Sequence, residues 1–164
     1  MKESQIKIEE LLKKSNGFEF SNHREEPESQ DYWASTYELN RLKIRFRKAK
    51  ITPNKNGQFV TIWKRLPNGP ITPFHQNDEV DLVVILVEKR GKLGQFVFPK
   101  TVLCSKGIFS TDTLEGKRGI RVYPPWDVPQ SKQAMRTQAW QINYFLDLEK
   151  TCDHSKAAAL YLQV

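Results

Sequence analysis

The run Val80-Asp81-Leu82-Val83-Val84-Ile85-Leu86-Val87 is apolar at odd and even positions alike once Asp81 is passed. Successive side chains of a strand point to opposite faces, so this segment reads as a central strand buried on both sides. The neighbours it needs are legible on either side of it. Gly94-Gln95-Phe96-Val97-Phe98-Pro99 reads as the next strand, joined through Lys89 to Lys92 and ended by Pro99. It repeats the tetrapeptide Gly57-Gln58-Phe59-Val60, and no longer repeat surrounds either copy.

Upstream, Leu42, Ile44 and Phe46 alternate with Arg41, Lys43, Arg45 and Arg47. The period of two gives a strand with one apolar face and one row of cations. Ile51 to Gly57, with Pro53 and Asn56-Gly57, is a turn, and Gln58 to Arg65 alternates well enough for a strand hairpinned to the basic one. Ile120 to Tyr123 is a further strand, closed by Pro124-Pro125-Trp126-Asp127.

Helical spacing is expected in four places. Ser4 to Lys14 carries Ile6, Ile8, Leu11 and Leu12 and stops at Gly17; Glu28 to Leu39 has an aromatic side; Thr101 to Lys106 is a short piece. Gln130 to Lys150 is expected as one long helix, with Trp140 and Phe145 as core residues. Ser21 to Gln30, polar and holding Pro27, reads as a loop. With 164 residues and 38% hydrophobic content, one domain with a single core is expected. The fold class is therefore α/β: a mixed central sheet of about five strands flanked by helices. Residues 1–27 form an N-terminal helix and polar loop, and residues 28–149 the core.

Charge narrows the function. The net charge is +7 and the pI about 9.4, a balance suited to polyanions. The first forty residues hold nine acids and five bases, whereas Arg41 to Arg65 hold nine bases and no acid. Phosphate contacts are expected from Arg41, Lys43, Arg45, Arg47, Lys48 and Lys50, helped by Lys55, Lys64 and Arg65. Gly116-Lys117-Arg118-Gly119 with Arg121 adds a second cluster, in which the glycines permit close backbone approach to a phosphate. Its spacing is not that of a nucleotide-binding P-loop. Trp63 and Tyr123 are the candidates for stacking on unpaired bases. The plainer alternative is that Lys and Arg on an edge strand only discourage pairing with another chain, and that the glycine cluster is a solvated turn.

Other classes find little support. No apolar run is long enough to span a bilayer and the first sixteen residues lack the apolar segment of a secretory signal, so a cytoplasmic protein without a membrane partner is expected. Cys104 and Cys152 are widely spaced, with no CxxC pair, and are read as reduced thiols. His23, His75 and His154 are scattered, so neither a zinc site nor any other cofactor is expected.

One pairing points toward nuclease chemistry. Asp81 at the entrance of the buried strand and Gln95 on the next strand occupy places where restriction-endonuclease-like nucleases put metal-binding oxygens, followed two residues later by a lysine. Here the second oxygen is an uncharged amide and the lysine position is Val97, so the expected site is a degraded one, and the plainer reading makes Asp81 an ordinary loop-to-strand residue. A Mg²⁺-dependent nuclease would need Asp81 together with other acids, such as Glu38 or Glu88. A third reading makes the basic strand the lining of a pocket for a small anion or nucleotide.

Several blocks together resemble a known family: Phe46-Arg47-Lys48-Ala49-Lys50-Ile51-Thr52-Pro53, Lys55 through Arg65, Pro73-Phe74, Asp81, Gly94 through Lys100, and Arg121-Val122-Tyr123-Pro124-Pro125-Trp126-Asp127. The chain resembles the bacterial MepB family over roughly Glu28 to Phe145. The resemblance implies a fold similar to the restriction-endonuclease-like nucleases and binding to nucleic acid, DNA ahead of RNA. It carries over no catalytic residue and leaves the oligomeric state open.

Overall fold

The computed structural model describes residues 5, 6, 9, 10, 12, 13, 17–149 and 153–162. In chain order the strands are β1 (Phe20–Glu25), β2 (Ser35–Leu39), β3 (Leu42–Lys48), β4 (Lys50–Ile51), β5 (Gln58–Thr61), β6 (Trp63–Arg65), β7 (Ile71–Pro73), β8 (Leu82–Lys89), β9 (Lys92–Pro99), β10 (Gly119–Val122) and β11 (Phe145–Asp147). Helices α1 (Lys100–Ser105), α2 (Lys132–Gln141) and α3 (His154–Tyr161) follow β9, β10 and β11.

Six strands form the main sheet in the order β1-β2-β3-β8-β9-β11. β3 and β8 run parallel and every other pair is antiparallel, so the sheet is mixed. β8 lies inside it, as its sequence requires. Leu82, Val84 and Leu86 face one core with Ile44, Phe46, Val97, Leu160 and Tyr161. Val83, Ile85 and Val87 face another with Phe96, Phe98, Val60, Phe74 and Leu103. All six are at most 1% exposed, and burial of each contributes about 1.5–3 kcal/mol.

Two tight hairpins set the register. Asn40 and Arg41 have φ of 48° and 74°, and Arg90 and Gly91 of 49° and 80°. Positive φ at both central positions marks two-residue turns whose twist matches the flanking strands, and Leu39 pairs with Leu42 and Lys89 with Lys92 accordingly. The parallel β3–β8 pair needs a crossover instead. Residues 49–81 supply it and carry β4 to β7, which with β10 form a three-stranded sheet (β10-β5-β4) and a two-stranded one (β6-β7).

Several local expectations are corrected. Glu28 to Leu39 is not a helix: Gln30–Tyr32 is a single 3-10 turn and Ser35–Leu39 is β2. Its burial alternates strictly with period two, and pairing with β3 outweighs the weak helical spacing. The polar segment expected as a loop, Ser21 to Gln30, holds all of β1 but Phe20, and the strand's side chains are mostly outside because it is the sheet's edge. The strand over Gln58 to Arg65 divides at Ile62, and β5 pairs with β4 and β10 rather than with β3. The long C-terminal helix stops at Gln141; a 3-10 turn over Ile142–Tyr144 leads into β11 beside β9. Gly94 admits it, because a Cβ there would stand 2.3 Å from the Phe145 ring. Trp140 is half-buried, its ring centroid 5.3 Å from that of Phe98. All the described residues among 5–13 are helical; Ile8, Leu11, Lys150 and Cys152 lie outside the described residues. Cys104 carries a free thiol.

Candidate nucleic-acid interface

The basic strand is not an edge. β3 is hydrogen-bonded on both sides, to β2 and to β8, so its cations are not there to guard an open edge. Nor does the lack of acids in its own sequence leave it uncompensated. Lys43 Nζ meets Glu79 at 2.8 Å, Lys48 meets Glu88 at 3.9 Å, Lys50 meets Asp31 at 3.5 Å, Lys64 meets Asp78 at 2.6 Å and Arg65 meets Glu28 at 2.7 Å. Arg45 and Arg47 both bind the Glu26 carboxylate. Seven of the nine cations between Arg41 and Arg65 are thus paired, with acids from the segment between β1 and β2, from the segment before β8 and from the end of β8 itself.

Arg47 is the clearest correction. It is 2% exposed, and its guanidinium donates to Glu26 and to the Phe46 carbonyl. Burial pulls its pKa below the ordinary arginine value, and Glu26 opposes that pull. A side chain so enclosed meets no phosphate. Asp78 shows the same neutralisation at the surface. Burial alone would raise its pKa, but hydrogen bonds from Lys64 and from the His75 backbone hold it below its ordinary value of 3.8. Trp63 is half-buried in β6, with the Arg65 guanidinium 5.8 Å from its ring centre. Arg41 stands exposed at the tip of the β2–β3 hairpin.

Asp81 and Gln95 are not brought together. The Asp81 carboxylate accepts from the Lys43 backbone N–H at 2.7 Å, and the Asp81 N–H donates to the Lys43 carbonyl at 2.8 Å. The residue thereby locks the start of the parallel pair. Gln95 pairs with Leu86, five residues farther along, or about 17 Å at strand rise. Leu86 faces the core that holds Tyr161, and buried Gln95 accepts a hydrogen bond from the Tyr161 hydroxyl. Asp81 precedes β8 and its carboxylate is engaged by the β3 main chain at the strand entrance, whereas Gln95 lies within the core beside Tyr161. Among the described residues no group of three or more His, Cys, Asp or Glu could hold a metal ion.

Unneutralised charge collects elsewhere. Between α2 and the β10-β5-β4 sheet lies a groove of about 690 Å³, and its lining includes Lys55, Lys106, Lys117 and Arg121 but no Asp or Glu. None of these four forms an ion pair among the described residues. Arg121 is held in place by neutral acceptors, the Asn56 carbonyl at 3.2 Å and Thr52 Oγ1 at 2.6 Å, which orient the guanidinium and leave its charge intact. Arg118, by contrast, turns to Glu115 at 3.1 Å.

The walls are built by local sequence. Ile120 and Val122 of β10 are buried in the core, so the alternate residues Gly119, Arg121 and Tyr123 face the groove. Ser131 caps α2 by accepting from the Ala134 N–H at 3.0 Å. Buried Gln141 then ties the helix to the strand: its amide donates to the Arg121 carbonyl at 2.9 Å and accepts from the Tyr123 N–H at 2.8 Å. Gly57, at φ 74°, leaves room for the Tyr123 ring, which would stand 2.7 Å from a Cβ there. Lys106 Nζ lies 5.5 Å from the centre of the Trp140 ring. Of the residues expected to contact nucleic acid, the groove gathers Lys55, Lys117, Arg121 and Tyr123. Lys106, expected only as the end of a short helical piece, and Trp140, expected as a core residue, also line the groove, because tertiary packing brings them alongside.

No helix among the described residues is long and apolar enough to cross a membrane. No curated protein matches the chain. A solved structure, described as the crystal structure of MepB, matches with a TM-score of 0.79 and 34% identity, over 92% of this chain and 100% of that one. A bacterial homing endonuclease matches with a TM-score of 0.45 and 17% identity, over 96% of this chain and 91% of that one. The MepB-like family model matches residues 26–147. That span runs from the acid that binds Arg45 and Arg47 to the last residue of β11, and together with the similarity to the MepB structure it assigns this chain to the MepB-like family.

Proposed function

We propose that the chain binds nucleic acid through the groove between α2 and the β10-β5-β4 sheet, by contacts to phosphates that carry little sequence information. The observation behind this reading is the contrast in compensation: the groove cations Lys55, Lys106, Lys117 and Arg121 face no carboxylate, while those of β3 are matched by acids. A phosphate approaching β3 must displace a carboxylate, whereas one entering the groove meets only positive charge. Lys132 and Arg136 on α2, exposed and without an ion pair among the described residues, extend the positive field. Affinity built this way comes from released counterions and falls linearly in log–log form as salt rises.

The test is fluorescence anisotropy with labelled oligonucleotides across a salt series, on the wild type and on Lys55→Glu/Lys117→Glu. Neither side-chain ammonium makes a hydrogen bond among the described residues, so the variant keeps its fold by circular dichroism. Binding at about 50 mM salt that weakens steeply with added salt and collapses in the variant is the expected result. No binding by the wild type at that salt overturns the reading.

A further inference from the structure

We propose that the groove takes a single strand of nucleic acid, with bases stacked on its rings, in preference to a duplex; this rests on the reading above and names its substrate. Gly119 and Arg121 share one face of β10, and Lys117 before the strand and Tyr123 after it line the same groove. Gly119 has no side chain, and the Phe59 ring from β5 covers its place: a Cβ at Gly119 would stand 2.6 Å from Phe59 Cζ. The wall therefore reads cation, ring, cation, ring. The opposite wall repeats the theme with Trp140 beneath Lys106.

The alternation decides between ligands. A duplex offers phosphates on its outside and keeps its base faces stacked within, so Tyr123 and Phe59 would have nothing to meet. A single strand offers both, and proteins that bind it combine a cationic groove with aromatic platforms. The row from Lys117 to Tyr123, with β10 at its centre, spans at most about 20 Å, longer than one nucleotide, which favours an oligomer over a mononucleotide.

The experiment compares an unstructured strand of about twelve nucleotides, the duplex of the same length, and thymidine monophosphate as competitor. At equal salt the wild type is expected to bind the single strand at least about tenfold more tightly than the duplex. Tyr123→Leu should weaken single-strand binding about 5- to 150-fold, the equivalent of one stacked base, without changing the salt slope. Tyr123→Phe should stay near wild type. Equal affinity for duplex and single strand, or displacement by the mononucleotide as effective as by the oligomer, overturns the single-strand proposal while the groove reading stands. No binding of either nucleic acid overturns both. The ranking of strands in the wild type requires no variant, so the proposal is testable even if Tyr123→Leu fails to fold.

Discussion

On β3, Lys43, Arg45 and Arg47 alternate with Ile44 and Phe46; on β10 and its approach, Lys117, Arg121 and Tyr123 alternate with Ile120 and Val122. Both strands bury their even apolar residues, and both carry cations in the other series. β3 lies in the middle of the main sheet under the crossover, where a cation must find a carboxylate to be tolerated, and Glu26 serves two arginines there. β10 lies in the small sheet with α2 standing off it across a groove. The same pattern is matched by carboxylates in one place and left without them in the other. A charge run becomes a field only where the fold brings no opposite charge to it.

The sharpest way to break this comparison is at Glu26. Glu26→Gln leaves Arg47 buried without its counterion, and stability should fall by about 3–5 kcal/mol, measured by urea denaturation. The salt slope of binding should not move in whatever fraction remains folded. A loss under about 1 kcal/mol would mean that Arg47 is not held as described.

Next in size is the groove. Lys55→Gln/Lys117→Gln should leave the melting temperature unchanged and lower the salt slope for single strands by about 1.4, two phosphates' worth. An unchanged slope would remove the distinction between the two regions.

Asp78→Asn should cost about 1 kcal/mol near neutral pH, because it removes the negative charge that faces Lys64 and one of the two oxygens that accept from Lys64 and from the His75 N–H. The folded carboxyl has a depressed pKa, so its contribution is present above its ordinary value of 3.8 and is lost as pH falls through the lower, folded value. The wild type and the Asp78→Asn variant should therefore converge in stability as the solution is acidified below that range. Parallel pH profiles would count against the Lys64–Asp78 pair.

The smallest effect is expected at the exposed pairs. Lys43→Gln/Arg65→Gln removes two charges from the basic stretch yet should leave the urea midpoint essentially unchanged, because solvent screens exposed pairs, and leave binding nearly as it was. A slope change as large as that of the groove variant would return the interface to the basic strand.

Strong periodic signals carried through from sequence to structure. The two-sided apolar run is β8, the alternation over Leu42 to Phe46 is β3, and the short helical piece and the strand expected after Pro99 are α1 and β10. Weak signals did not. The aromatic spacing in Glu28 to Leu39 fits both periods, and only pairing with β3 selects the strand. The candidate groove was partly legible: Lys117, Arg121 and Tyr123 stand out as a cationic and aromatic cluster, whereas Asp81 and Gln95 look adjacent only until the strand register is known.

The sequence by itself determined the α/β character, the buried central strand and the excess of positive charge, because these follow from local periodicity and from counting. It could not determine where that charge is free. Glu26, Glu28 and Asp31 precede the basic stretch, Asp78, Glu79 and Glu88 follow it, and only the sheet order lays them against it. Lys55, Lys106, Lys117 and Arg121 are similarly scattered, and only the docking of α2 on β10 through Gln141 draws them into one groove. Coulomb interaction depends on distance in space, and that distance is set by the tertiary fold.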